Sequence, residues 1–267
     1  LVKIVGEKSY LLRQREWKKM APASLTKLLT AVIAEEELNP FEKIMVSAEA
    51  KNVEPKTSAL TAGEFLTKDD LFKLTLSGSA NDTALVLAEE IGRQRGAKNL
   101  EDSLNVFREL AQKTVNELGM SNSSFKNPVG FDDPEHYTTA QDLVKLAEHI
   151  LYKHPRLLDF SVWPEAEVYA ESGNRYIMNN TNVLLKEFPA IFGSKTGFTD
   201  KAGDTLLMLY PVRPDKIAVI VILIVINFTG LPSLKENKEV KYIAKTSDAE
   251  TPLIKPDVWM APDSTLI

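Results

Sequence analysis

The sequence predicts an α+β fold: an antiparallel sheet flanked by helices, with an all-helical lobe inserted between its first and later strands. Three observations carry this. Helical periodicity is confined to the middle of the chain. Strand-like runs lie at both ends, and two of the later ones are joined by Arg213-Pro214-Asp215, a hairpin turn. That order fits an antiparallel sheet better than alternating β–α–β units.

At the N-terminus, Val2 to Val5 and Tyr10 to Leu12 flank Gly6-Glu7-Lys8 as a short hairpin. After a polar stretch, Leu25, Leu28, Leu29, Val32 and Ile33 recur at i, i+3, i+4, i+7 and i+8, one continuous buried helical face. Glu35-Glu36-Glu37 reads as the solvated end of that helix. Thr67 with Asp70 and Thr139 with Asp142 match capping boxes and open helices carried by Leu71/Leu74 and by Leu143/Leu146/Ala147/Ile150. Helices over about 82–91, stopped by Gly92, and about 101–118, stopped by Gly119, complete the lobe. The stretch from Asn122 to Tyr137 lacks periodicity and reads as an ordered loop. Tyr169–Met178, Asp204–Val212 and Lys216–Asn227 read as strands. Residues 1–228 form the predicted domain; 229–267 turn polar, with a strand expected near Val240–Ala244.

Composition narrows the function. Of 267 residues, 44% are hydrophobic and 26% charged, which excludes disorder, collagen and coiled coil. The net charge of −5 is spread along the chain with no basic stripe, which argues against nucleic acid, and no polybasic arm reaches for anionic lipid. Zero cysteines excludes disulfides, thiolate zinc and a cysteine nucleophile, leaving Ser, Thr or carboxylates for covalent work. The longest apolar run, Ile217–Ile226, is about half of the roughly 20 residues a membrane-spanning helix needs. The chain starts at Leu1 without initiator Met or signal pattern, as a trimmed form of something longer would.

Ser24-Leu25-Thr26-Lys27 opens the best helix in the chain, and a spacing of three leaves Ser24 and Lys27 about 60° apart on one face. A serine hydroxyl becomes nucleophilic when a neighbouring base takes its proton, and a lysine serves if burial and nearby positive charge depress its pKa. The helix N-terminus disfavours the ammonium and offers N–H groups to an oxyanion. A Ser–Lys pair at this spacing arises by chance about once per chain of this length, and a Ser at a helix start is usually a cap. Two further elements raise its specificity. Ser79-Ala80-Asn81 lies in the break between two helices, and Lys195-Thr196-Gly197 just precedes the strand from Asp204. A Lys-Thr-Gly triplet arises by chance in only about one such chain in fifteen.

This set is the known signature of penicillin-binding proteins and class A β-lactamases. The sequence resembles the low-molecular-mass D-alanyl-D-alanine carboxypeptidases, serine peptidases that act on peptidoglycan stem peptides. Besides the three motifs, Asn127-Pro128-Val129-Gly130, Thr139-Ala140-Gln141-Asp142-Leu143, Asn180-Thr181-Asn182 and 193–203 match. The resemblance implies a β-lactamase/transpeptidase-like fold. It implies that Ser24 is acylated, Lys27 is its base, Ser79 relays the proton to leaving D-alanine and Asn81 holds Lys27 and the substrate amide. Lys195 would keep the site positive, Thr196 would bind the substrate carboxylate, and the N–H groups of Ser24 and Phe198 would form the oxyanion hole beside Gly197. The implied partners are a stem peptide ending in D-Ala-D-Ala and β-lactams as inhibitors, with no metal or organic cofactor. The implied location is extracytoplasmic, with any membrane association through a region outside this sequence. Three departures stand out: Ala80 replaces the usual Gly, Thr181 sits where some relatives place an arginine, and 228–267 match no family element.

The rival readings are a β-lactamase and a penicillin-sensing or cell-wall-binding relative with little turnover. A β-lactamase needs a second base from an E-x-x-L-N loop, and Glu171-Ser172-Gly173-Asn174 matches it poorly. His136, His149 and His154 are expected on the surface or in loops, since their spacings place no two on one helical face with a third ligand. Phe125, Phe131 and Tyr137 read as core rather than cleft, while Trp163, Tyr169 and Tyr176 are weak candidates for a groove.

Overall fold

The computed structural model describes residues 1–223 apart from positions 40, 54, 56 and 57. The expected continuation of the last strand to Asn227, the strand near Val240–Ala244 and all of 229–267 lie outside the described residues.

The five-stranded sheet has the order β2-β1-β9-β8-β7, built from β1 (Val2–Ile4), β2 (Tyr10–Leu12), β7 (Gly193–Thr199), β8 (Gly203–Arg213) and β9 (Lys216–Leu223). Every neighbouring pair is antiparallel. The N-terminal hairpin thus joins the sheet through β9, and β7 is left as an edge. Between the two parts run α1 (Thr26–Glu37), α2 (Ala48–Lys51), α3 (Lys68–Leu76), α4 (Asn81–Gln94), α5 (Leu100–Glu117), α6 (Ala140–Lys153) and α7 (Arg156–Val162). Two small two-stranded antiparallel sheets, β3 (Lys43–Met45) with β4 (Phe65–Thr67) and β5 (Glu165–Tyr169) with β6 (Arg175–Asn179), accompany them.

Side chains alternate across β8, so the strand serves two cores. Leu207 and Leu209 pack with Val219, Val221 and the helices, whereas Leu206, Met208 and Tyr210 pack with Val2, Ile4, Leu184 and Ile191 on the other face. Helix α1 runs through the larger core, and every residue from Thr26 to Ala34 is buried, not one face alone. Its polar side chains are met inside: the Thr30 hydroxyl donates to Pro128 O at 2.7 Å. The capping prediction holds at α3 and α6, where Thr67 and Thr139 accept from the Asp70 and Asp142 amides.

Two local expectations are corrected and one is extended. The predicted strand Tyr169–Met178 is a hairpin centred on the turn after Tyr169, with Gly173 at φ +93°. Lys195-Thr196-Gly197 precedes β8 as expected, but it also lies inside a further strand, β7, that the sequence reading did not assign. Helix α4 does not stop at Gly92 but runs to Gln94, and the stop is Gly96 at φ +86°. There the Gly96 and Ala97 amides donate to Arg93 O and Gly92 O, the pairing of a Schellman cap. Gly92 is instead a contact residue: a Cβ there would lie 2.4 Å from Ser103 Cα in α5.

Gly92→Ala, a substitution that stabilises an exposed helix interior, is therefore expected to cost about 1–3 kcal/mol by forcing α4 and α5 apart. Urea denaturation with an unchanged m-value is the check; a neutral or stabilised variant contradicts the close packing.

Candidate active site

Ser24 sits in a 3-10 turn, Ala23–Leu25, that feeds directly into α1. Two glycines make room for it. A Cβ at Gly130 (φ +96°) would lie 1.9 Å from Ala23 O, and a Cβ at Gly197 would lie 2.6 Å from Ser24 N. So the loop after Asn127 closes on one side of the turn, and edge strand β7 passes against the Ser24 amide on the other.

Behind the half-buried Ser24 lies Lys27, fully buried. Its Nζ is 2.8 Å from Ser24 Oγ, 2.7 Å from Asn81 Oδ1 and 2.8 Å from Val129 O. Asn81 is the first residue of α4, and its amide nitrogen donates to Pro55 O. Ser79, at φ +62°, turns the chain into that helix. Left-handed backbone at a residue with a Cβ costs of order 1–3 kcal/mol and persists where the surroundings hold it. Buried Lys195 Nζ meets Ser79 Oγ at 2.7 Å and Thr196 O at 2.8 Å. Thr196 and Thr181 share a hydrogen bond of 2.6 Å between their hydroxyls, and Phe198 is exposed at the edge. Ala80 is wholly buried at φ −62°, a conformation open to any residue, so its methyl is accommodated. All nine residues singled out from the sequence thus converge on one edge of the sheet.

The polar groups form two layers. Ser24, Thr181, Thr196 and Gly197 are half-buried, while Lys27, Ser79 and Lys195 lie beneath them. Such an arrangement presents a hydroxyl to a bound molecule with an amine behind it, beside two further hydroxyls and a second amine suited to an anionic group. Glu171 is remote in role: it is exposed and pairs with Lys43.

The family model of D-alanyl-D-alanine carboxypeptidases matches residues 9–229. This chain belongs to that family. It is similar to the D-alanyl-D-alanine carboxypeptidase DacF of Bacillus subtilis, 30% identical over 69% of this chain and 46% of the relative. It is also similar to a D-alanyl-D-alanine endopeptidase of Pseudomonas aeruginosa, 28% identical over 75% of this chain and 62% of the relative. The chain therefore spans about half to three-fifths of the length of these curated relatives. Its fold is that of a Streptomyces DD-transpeptidase, with a TM-score of 0.80 at 19% identity, covering 92% of this chain and 94% of that one.

The sequence reading missed two supports of the site. His136 lies in a loop, as expected, but is buried there: its Nδ1 accepts from the Lys126 amide at 3.2 Å, and its Nε2 lies 2.9 Å from Thr26 Oγ1. Thr26 Oγ1 in turn donates to Ala23 O at 2.8 Å, so the imidazole braces the turn that holds Ser24. Asp82 is fully buried and accepts from the Ser58 amide and hydroxyl, tying that loop to the start of α4. Burial pushes its carboxyl above the usual range against those hydrogen bonds. Neither is visible from spacing, because each acts on residues distant in sequence. Of the aromatic candidates, Phe125 is core, and Tyr176 is buried with its hydroxyl on Glu64, whereas Trp163 and Tyr169 are exposed.

Burial holds the His136 imidazole down at about pH 4, from an ordinary value of 6.5. Between those values the unfolded chain binds a proton that the native chain refuses, so stability falls as pH drops from 6.5 toward 4. The full contribution is of order 3 kcal/mol. His136→Gln is expected to flatten that part of the stability–pH curve, measured by urea denaturation across pH 4–7. An unchanged slope would show that His136 is not its source.

Proposed function

We propose that this chain is the penicillin-binding domain of a serine D-Ala-D-Ala carboxypeptidase, removing the terminal D-alanine from peptidoglycan stem peptides. The observation that carries the reading is the 2.8 Å approach of Lys27 Nζ to Ser24 Oγ beside the Lys-Thr-Gly edge strand. Family membership and the name of the Bacillus relative support it.

In this reading Lys27 Nζ takes the Ser24 hydroxyl proton as Oγ attacks the penultimate D-alanine carbonyl. As a base the amine needs a lone pair toward Ser24, and its two N–H groups then serve Asn81 Oδ1 and Val129 O. The oxyanion accepts from the Ser24 and Phe198 backbone amides, which such a site brackets at little reorganisation cost. Collapse breaks the C–N bond, and the proton passes through Ser79 to the departing D-alanine amine. Water then attacks the Ser24 ester, Lys27 accepts its proton, and Ser24 is released protonated. The substrate's terminal carboxylate lies against Thr196, Thr181 and Gly197, with Lys195 supplying positive charge. With no arginine at Thr181, hydroxyls and Lys195 carry more of that recognition. β-Lactams acylate the same serine and block the site.

Peptidoglycan lies outside the cytoplasm, so the proposed working location is extracytoplasmic. Among the described residues no helix is long and apolar enough to cross a membrane.

Intact-mass analysis after benzylpenicillin is expected to show one covalent adduct on the parent chain and none on Ser24→Ala. Lys27→Ala is expected to slow acylation about 10²–10⁴-fold with the fold retained. An adduct on Ser24→Ala, or an unchanged rate in Lys27→Ala, overturns the respective role. Release of D-alanine from a pentapeptide, with no cleavage of cross-linked dimers, separates the carboxypeptidase from the endopeptidase activity named for the Pseudomonas relative.

A further inference from the structure

At the far end of α1, about 18 Å along its axis from Ser24, the three consecutive glutamates do not simply face solvent. Glu35 pairs with buried Lys68 at 2.8 Å and Glu37 with Arg95 at 2.6 Å. Glu36 turns toward α6, where Oε1 lies 3.1 Å from His154 Nε2 and 3.5 Å from His149 Nε2. This corrects the expectation that no two histidines share a third ligand. The spacing of five fails as a guide because α6 ends at Lys153: His154 caps it at φ −133°, ψ 48°, which swings its ring back to 5.2 Å from that of His149.

The three donor atoms all lie within 4.8 Å of one another. Zinc bound tetrahedrally at about 2.0–2.2 Å needs donor–donor separations of about 3.2–3.6 Å. The two distances to Glu36, 3.1 and 3.5 Å, lie within about 0.1 Å of that range. His149 Nε2 is buried and has no hydrogen-bond partner among the described residues. An orphaned imidazole nitrogen aimed at a carboxylate and a second imidazole is short of an electrophile at the centre. All three side chains sit on helices or a helix cap, and Glu36 is 40% exposed, which leaves a path for an ion and room for water as a fourth ligand.

We propose that Glu36, His149 and His154 form a site for one divalent transition-metal ion, zinc foremost, that pins the C-terminal end of α1 to α6. Two imidazoles and a carboxylate suit zinc, and also nickel or copper, better than calcium or magnesium, which prefer all-oxygen shells. The site lies apart from the proposed catalytic chemistry and takes no part in it. Its effect is on the helix whose opposite end carries Ser24 and Lys27.

The test is zinc titration of untagged, chelator-treated protein by calorimetry, with cobalt absorbance as a second readout. The expected result is one zinc per chain at micromolar or tighter Kd, with a tetrahedral cobalt spectrum. Zinc at a hundredfold excess over Kd should raise Tm by about 5–10 °C. Glu36→Gln, close to isosteric, and His149→Ala should each weaken binding at least about tenfold while leaving benzylpenicillin acylation unchanged. Absence of saturable binding below about millimolar zinc overturns the proposal. Binding that both variants leave unaltered overturns it equally, because the ion then sits elsewhere.

Discussion

A buried amine is tolerable only where polar atoms replace its lost water. Lys27 is wholly inside the protein, and the acceptors around Nζ come from Ser24, Asn81 and Val129. They belong to a 3-10 turn, the first residue of α4 and the loop before α6. None can be moved without leaving a polar group unmet in the interior. Satisfying Lys27 and assembling the site are therefore one event, and the packing of the helical lobe on the sheet is what brings those segments together.

The second requirement is close approach of backbones. Gly130 and Gly197 stand where any Cβ would strike Ala23 O or Ser24 N. Their absent side chains let a loop and an edge strand clasp the serine turn from both sides. Ala23 at φ +50° and Ser79 at φ +62° carry strained backbone at the same place. Local strain of this kind is held by the surrounding contacts rather than by local preference, and here the His136–Thr26–Ala23 chain of hydrogen bonds is one such contact. The serine turn is thus held by contacts from several segments, which is the preorganisation the proposed oxyanion hole would need.

Helix α1 links two ends of unlike character. One end carries the half-buried Ser24 hydroxyl with the buried Lys27 amine behind it; the other fans three carboxylates toward Lys68, Arg95 and a histidine pair. Since the helix is buried on all sides between them, its position is set by what each end grips. Contacts at the glutamate end therefore anchor the helix at a point remote from Ser24.

Periodicity, turn and cap patterns in the sequence determined the N-terminal hairpin, α1 and α3 to α6, the capped starts of α3 and α6 and the β8–β9 hairpin, and the motifs with their family resemblance named the residues gathered at the site, whereas β3, β4, α2, α7 and β7 were not read. Those features are local: a cap acts across three residues, and Ser24 faces Lys27 because a helix has 3.6 residues per turn. Only the tertiary structure decided that α4 runs past Gly92, since the space a Cβ would need is filled by Ser103 of another helix. It likewise decided that His136 is interior, that Glu36 meets His149 and His154, and that Lys-Thr-Gly lies within an edge strand. Each of these depends on contacts between segments far apart along the chain, and no spacing within one segment encodes which distant surface will cover it.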